Sequence, residues 1–502
     1  MGNGPKVKIS SLEWEDFVDS WKIDSLESSE FLPPGAERIE VWREENYDLK
    51  AKIVGSVAPQ DHLLQLHPEE EPGSAVALFE LKGSGTHDIL NYELGSCAIG
   101  PVLSSEWRDK EADPPVITYE AELITSAARL ENRYRDPFET EWLTEWYLNA
   151  PQDQYILYDR SSLTKLEGRY VRRRNLPINQ EESFEASTVV SGTRLAFVET
   201  SKLNFLIQQV PKEFRPPWSE CLAIEYRPKW GEVPSVEDRK SIAALVGFLM
   251  GRELINIGYT RFDKAGYPME KVALHPRKDN LIALCQQSSS LKPTETNTLR
   301  NEGGIAAVLK HLLPNYLALK NDLRLDEALE CYWLAKEIPI GYNLPILQAG
   351  VETLSDSWFD STKSPTGGDY IAKEDFMTLL GSELKAAEAK LQNYKYKKKI
   401  LDRLYRAYEI GVNDRLRFFF EEIGLPVSQK EWRAINKRHP MAHGASSVFD
   451  SSANDDMLKA TYVYETLFHR ILLKVLDYQG AYIDYGTLGY PKRPIDQPSG
   501  AG

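Results

Sequence analysis

Cysteine is scarce in this chain and never paired in sequence. The four residues, Cys97, Cys221, Cys285 and Cys331, lie far apart and form no CxxC pair. Nothing here suggests a zinc knuckle or a disulfide framework, and the spacing fits reduced thiols buried as small hydrophobes. Long apolar runs are missing too. The most apolar stretch, residues 242–250, is nine residues long, less than half of the roughly 20 that a membrane helix needs. No basic-then-apolar signal pattern opens the chain, so a cytoplasmic protein with no membrane partner is expected. Positive charge is in deficit. Lys and Arg number 60 against 75 Asp and Glu, leaving a net charge of −15. Such a chain is repelled from phosphate as a whole, so any nucleic-acid contact has to come from local basic patches. The GxxxxGK[ST] phosphate loop, the GxSxG elbow and HExxH are absent, and no cofactor is expected.

What is there divides in two. At 502 residues the chain exceeds one ordinary core, which argues two or three domains. Residues 1–290 read as strand-rich. Short runs with β-branched and aromatic residues recur at 75–81, 115–123, 154–160, 193–200, 221–228, 271–276 and 280–285, many of them separated by Gly, Pro, Asn or Asp. One helix interrupts, capped by Ser235 and running toward Leu254. Residues 288–298 (SSSLKPTETNT) have no periodicity and read as a linker. Beyond them the period becomes helical, over 323–337, 342–359, 373–391, 400–423, 429–442 and 455–478. Short turns join these stretches, so residues 300–490 predict an antiparallel bundle. The Pro- and Gly-bearing end, 491–502, reads as a flexible tail. The fold class expected is therefore multidomain α+β, a β-rich half followed by an all-α bundle.

The most informative segment is 431–444, EWRAINKRHPMAHG. Ser428 and Glu431 have capping-box spacing, so a helix should begin just before it. Trp432 and Ile435 give that helix an apolar side, and Pro440 is expected to bend or end it. Arg438 and His443 sit five apart, about 140° around a straight helix; a bend and the reach of arginine would bring both to one cleft. Arg plus His without metal suits cleavage of an RNA phosphodiester. The imidazole takes the proton of a 2′-hydroxyl or protonates the leaving oxygen, and the guanidinium holds the phosphate. Arg followed by His after four to six residues is a weak pattern by itself. Here its two occurrences, Arg438/His443 and Arg433/His439, overlap within one segment of the helical half. From the residues alone, two other readings stay open: surface residues on a capped helix, and metal binding by His439 and His443, which lack an evident third ligand. Two basic patches could serve a nucleic acid. One is YKYKKK at 394–399, with Lys395, Lys397, Lys398, Lys399 and then Arg403; the other is RYVRRR at 169–174. Tyrosines among lysines suit RNA, rings stacking on bases and ammonium groups meeting phosphate.

This arrangement resembles the HEPN superfamily, and residues 300–490 resemble ApeA-like HEPN domains most. The motif reads Arg438, His439, Pro440, Met441, Ala442, His443, Gly444. Residues 351–354 (VETL) and 478–485 (YQGAYIDY) resemble further parts of the same family. The resemblance implies a helical HEPN bundle and a metal-independent endoribonuclease, with Arg438, His443 and His439 in its active site. It implies a homodimer or higher homo-oligomer whose subunits share one cleft. It also implies a role in bacterial antiphage defence by abortive infection, with an RNA substrate (tRNA among the candidates) and a phage-derived or other trigger sensed by the N-terminal half. A non-catalytic HEPN dimerisation or adaptor protein is the alternative. The apolar surplus along 458–475 offers the dimer surface.

Overall fold

The computed structural model describes residues 21–500 except 28–30, 59–77, 86–89, 112–114, 133–139, 153–158, 167–168, 175–187, 202, 211–214, 264–267, 288–290, 297–303, 341, 362–368 and 443–450; at 159–166, 169–174, 188–195, 268, 412, 438–442 and 451–454 the description is of backbone alone. The chain divides into two compact units. One comprises Met1–Val236, Arg252–Ser290 and Asn297–Ala307, the other Glu237–Gly251, Leu291–Thr296 and Val308–Gly502.

The first unit is a large antiparallel sheet. Its strands are β1 (Trp21–Ile23), β2 (Ser25–Leu26), β3 (Ala36–Arg43), β4 (Leu49–Val57), β5 (Phe79–Ser84), β6 (Leu90–Asp109), β7 (Val116–Ile124), β8 (Ala127–Asn132), β9 (Trp142–Leu148), β10 (Asp159–Leu166), β11 (Arg169–Arg174), β12 (Thr188–Glu199), β13 (Asn204–Gln209), β14 (Cys221–Tyr226), β15 (Ile255–Phe262) and β16 (Pro268–Leu274). They run in the order β1-β3-β4-β7-β6-β8-β16-β15-β9-β14-β13-β12-β10-β11, with β2 and β5 attached beside β6. The long β6 makes the junction: residues 90–95 pair with β8, and residues 98–109 pair with β7. Its register slips between Ile99 and Val102, at Gly100-Pro101. Proline has no N–H for the ladder, and a Cβ on Gly100 would lie 2.9 Å from that of Glu122.

Alternation explains which strands border water. In β4 buried Ala51 and Ile53 alternate with Lys52, which reaches Glu40 of β3 at 3.5 Å and Glu120 of β7 at 2.8 Å. Such cross-strand pairs add modestly to ladder stability. β14 is buried at every position and β9 at all but its first, the pattern of strands covered on both faces. Arg227, just past β14, bonds to Glu225 at 2.7 Å and lies between the rings of Trp142 and Trp230, at 5.1 and 4.9 Å. One core joins Ile39, Ile53, Leu94, Tyr119, Trp146 and Ile257.

Two helices arise within this stretch of sequence. α1 (Val236–Met250) belongs from Glu237 onward to the second unit. α2 (Leu281–Gln286) replaces the strand expected at 280–285. Its buried residues, Leu281, Leu284 and Cys285, have the spacing of a helix turn. Of the other expected strands, 75–77 and 154–158 lie outside the described residues.

The second unit is helical: α3 (Gly304–Leu319, from Val308 onward), α4 (Leu325–Glu337), α5 (Leu344–Asp360), α6 (Lys373–Lys390), α7 (Lys397–Tyr405), α8 (Val412–Glu422), α9 (Gln429–Ala442) and α10 (Ser451–Val475), followed by the short pair β17 (Ala481–Ile483) and β18 (Lys492–Pro494). α5 packs against α4, α8, α9 and α10, through Leu347, Val351 and Leu354 at helical spacing. α10 is buried on most sides, with Tyr464, Leu467, Phe468, Ile471 and Leu472 all inaccessible. α1 joins them: Phe248 meets the rings of Tyr332 and His469 edge-on, and the Ser241 hydroxyl donates to Asp326 at 2.8 Å.

Four expectations about this half need correcting. The stretch 400–423 is two helices, α7 and α8, and Gly411 supplies the extended N-cap of the second. Residues 291–296 are not a loose linker: they bond to the end of the chain, with Pro293 accepting from the Ile483 N–H at 3.0 Å and Thr294 donating to the Ala481 carbonyl at 2.7 Å. Nor is the tail loose as far as Gly500. β18 pairs with β17, and Ile495 and Ser499 are buried. The apolar surplus of 458–475 largely fills the unit's own interior, so it no longer argues for a dimer surface. Among the described residues no helix is long and apolar enough to cross a membrane.

Candidate active site

α9 carries Arg438 and His439, and its start is fixed by several hydrogen bonds. The Ser428 hydroxyl accepts the Glu431 N–H at 3.2 Å, and the Glu431 carboxylate accepts the Ser428 N–H at 2.7 Å. This is the reciprocal box that the spacing predicts, and it satisfies two donors that helix geometry leaves over. Glu431 does more than cap. It is wholly buried, and its Oε1 accepts Arg470 Nη1 of α10 at 2.5 Å and the Ser499 N–H at 3.2 Å. Arg470, also wholly buried, donates to the carbonyls of Pro426 and Ile495, each at 3.0 Å. A buried ion pair is tolerable only when its remaining hydrogen-bonding capacity is met in this way.

The chain end closes the cluster. Ser499 donates to buried Asp484 at 2.5 Å, and Thr487 and Arg493 each donate to it at 2.7 Å. Burial alone would raise that carboxyl's pKa; the donors from Ser499, Thr487 and Arg493 outweigh it and hold the group below its ordinary value. Residues 291–296, β17, Asp484, Ser499 and the first turn of α9 thus form one hydrogen-bonded series.

At its other end α9 runs two residues past Pro440, to Ala442, so the proline neither ends the helix there nor interrupts the assigned turn. Its missing N–H leaves the carbonyl of Asn436 without its usual helical donor. Glu431, Ala434 and Ile435 are buried, and helical spacing places position 438 on the stripe they begin, with 439 about 100° away. The side chains of Arg438 and His439 are outside the described ones, and His443 lies outside the described residues altogether. Lys437 pairs with Asp456 of α10.

The basic residues are on other elements. Lys395 stands 5.6 Å over the Tyr396 ring in the turn before α7; Lys397, Lys398, Lys399 and Arg403 are on α7, Lys397 within 3.6 Å of Glu388. Lys399 and Arg403 are one turn apart, and all but half-buried Lys397 are exposed. α7 packs on α6, whereas α9 packs on α5 and α10. The backbone of 169–174 is strand β11, in the other unit; the side chains of that cluster are not described.

Sequence reasoning missed His469 and Arg470. His469 is fully buried, its Nε2 2.8 Å from the Tyr332 hydroxyl, its Nδ1 without a hydrogen-bond partner among the described residues. Burial first, and then the charge of Lys336, pushes its pKa down to about 3, so the ring is neutral. The signal available was His469-Arg470 in the middle of an apolar helix. Among the described residues no three His, Cys, Asp or Glu side chains gather as a metal site. No protein-family model matches the chain, and no curated protein or solved structure matches it either.

Proposed function

We propose that the chain is a HEPN-type endoribonuclease effector that works without metal, in bacterial antiphage defence, with the sheet unit sensing the trigger. The reading rests on one observation, the Arg438–His443 spacing in sequence, with Arg438 on a helix anchored at its start by Glu431 and Arg470. An anchored helix suits catalysis because a proton-transfer group has to be held near its target geometry. In this reading His443 exchanges the proton of the 2′-hydroxyl and the leaving oxygen, Arg438 holds the phosphate, and His439 lies beside them. Lys395, Lys397, Lys398, Lys399 and Arg403 guide the RNA backbone.

The test is incubation of the purified chain with total cellular RNA, with and without EDTA. Cleavage should persist in chelator, and His443→Ala should abolish it while the fold survives. Cleavage at the wild-type rate by that variant refutes the assignment, and activity lost in EDTA and restored by a divalent ion refutes the metal-free mechanism. A non-catalytic dimerisation or adaptor module is the second reading. It draws on the exposed apolar residues of α6 and α7.

A further inference from the structure

Two of the four thiols stand together in the sheet unit. Cys221 opens β14, Cys285 is on α2, and both belong to the same core. They meet at Ser219. The Cys221 thiol donates to the Ser219 carbonyl at 3.7 Å, and the Ser219 hydroxyl touches both sulfurs. That hydroxyl also accepts the Asn149 N–H at 3.0 Å and donates to the Glu220 carbonyl at 2.8 Å, so it is held in place. A contact spans about 4 Å, so two sulfurs against one hydroxyl are at most about 8 Å apart. The Cys285 sulfur is near enough to act on the charge of Cys221. Closing such a gap to a disulfide takes side-chain rotation and movement of one backbone segment.

α2 is the segment able to move. It is six residues long, and Asn280 gives it no side-chain cap bond. A helix this short has little stability of its own. Leu281, Leu284 and Cys285 hold it down, while Ala283 and Gln286 are exposed. Beside the thiol lies Arg252, also buried, which donates to the Gln287 carbonyl and, at 3.5 Å, to Asn149 Oδ1. Its Nε has no hydrogen-bond partner among the described residues, and the Cys285 sulfur is the acidic group that acts on it. A guanidinium beside a thiol favours the thiolate. Arg215 acts likewise on Cys221, but it is paired with Glu220. Burial opposes both cations. It pushes each thiol's pKa above the ordinary value, so the closed pair is protonated and inert. Opening of α2 lifts that penalty from Cys285 first, because Cys221 stays in its strand.

We propose that Cys221 and Cys285 form a gated dithiol site, which a low-molecular-weight disulfide oxidises to one intrachain disulfide when α2 opens. The Cys285 thiolate attacks one sulfur of the small disulfide and expels a thiolate, which takes up the proton that Cys285 lost. Cys221, deprotonated in turn, attacks the Cys285 sulfur of this mixed disulfide and expels the second small thiol. Two thiols of the chain become one disulfide, one small disulfide becomes two thiols, and nothing else is consumed. The new bond ties α2 to β14. The site goes beyond the nuclease reading and does not depend on it. The test treats the full chain with oxidised glutathione at about pH 8, near the ordinary thiol pKa, alkylates the remaining thiols and maps the peptides by mass spectrometry. The wild type should yield one linked pair, Cys221 with Cys285, reversed by dithiothreitol. Amides of α2 should then exchange roughly tenfold more slowly than in the reduced chain. Cys331, half-buried beside Glu327, Glu330 and Arg324, should stop at a mixed disulfide. Cys221→Ser should accumulate the mixed disulfide on Cys285, and Cys285→Ser should leave Cys221 reduced; circular dichroism checks that both variants fold. Arg252→Gln should move the rate-against-pH curve of the linkage to higher pH, and an unmoved curve overturns the choice of Cys285 as the attacking thiol. So does a mixed disulfide on Cys221 in Cys285→Ser. A wild type that forms no linked pair while Cys331 reacts in the same sample overturns the proposal, as does linkage through a different cysteine.

Discussion

Replacing Glu431 by alanine should loosen the helical unit from inside. The carboxylate accepts three hydrogen bonds, from Arg470 and from the N–H groups of Ser428 and Ser499, at 2.5, 2.7 and 3.2 Å. In Glu431→Ala the Arg470 guanidinium keeps the carbonyls of Pro426 and Ile495 but loses its only counter-charge among its named partners. Breaking a fully buried pair from one side costs about 3–5 kcal/mol, and losing the box adds about 1 kcal/mol. The sum is a large part of the roughly 5–15 kcal/mol that holds a domain folded. Glu431→Gln keeps an acceptor for Arg470 but not its counter-charge, so it should cost less than Glu431→Ala yet still about 3 kcal/mol. Removing both charges, as Glu431→Leu with Arg470→Leu, should cost clearly less than the sum of the singles, because neither variant then buries a lone charge. Hydrogen exchange of amides in α10, read by mass spectrometry on the full chain, measures the local opening energy. If Glu431→Ala changes α10 protection by less than about 1 kcal/mol, or the double variant is additive, the pair is not the fastening described.

Three further outcomes follow from the same unit. His469 is neutral when folded, with a pKa lowered from 6.5 to about 3, so its stabilising contribution is complete above pH 6.5 and declines as the unfolded chain takes up the proton below it. The loss by pH 4.5 should be on the order of 3 kcal/mol, and urea melts of His469→Leu should lack that share of the pH slope; an unchanged slope sinks the argument. Asp484, lowered below its ordinary value, stabilises above the carboxylate range and loses its contribution as pH falls through its folded value. Asp484→Asn should open the tail to limited proteolysis after β17 at neutral pH, and wild-type resistance would count against the cluster. A fragment starting at Ser290 should fail to melt cooperatively, because it lacks α1; a cooperative melt like that of the intact unit would refute this.

The helices were more legible than the sheet, for physical reasons that individual elements show. The start of α9 can be read to the residue because the Ser428–Glu431 box is local and Trp432 and Ile435 set the phase. β7, β12 and β14 announce themselves by apolar runs with β-branched or aromatic residues. β3 and β4 do not, since Glu, Arg and Lys occupy their wet faces, and β6 contains Gly, Pro and Ser that read as loop. Pairings such as Glu131 with Glu270 join residues too far apart for any window. The motif was legible as a pattern, but its support was not. Glu431 and Arg470 stand 39 residues apart, and only the polar pair His469-Arg470 in an apolar helix hinted at it. The tail was misread for the opposite reason. Composition suggests looseness, whereas Ser499 and Ile495 are held by partners that composition cannot show.

The two units are interleaved in sequence, and this changes how a sensor could act on an effector. The bundle takes Glu237–Gly251 and Leu291–Thr296 from within the sheet's stretch of chain. α1 follows β14 and precedes β15, so its two ends are tied to neighbouring strands of β9. Its Phe248 ring meets Tyr332 and His469, and Asp238 holds Lys320 at 2.7 Å. Six of its buried side chains are Leu, Ile, Val, Phe or Met: Ile242, Leu245, Val246, Phe248, Leu249 and Met250. At about 1.5–3 kcal/mol for each, α1 contributes on the order of the bundle's whole stability. A helix that deeply built in cannot be shed as a linker can. Among the segments that the helical unit takes from this stretch, residues 291–296 bond by way of Asp484 and Ser499 to the first turn of α9. If the sheet unit governs the proposed nuclease, this series ends on α9 itself, which makes the contacts of Thr294 and Asp484 the places where uncoupling variants should be sought.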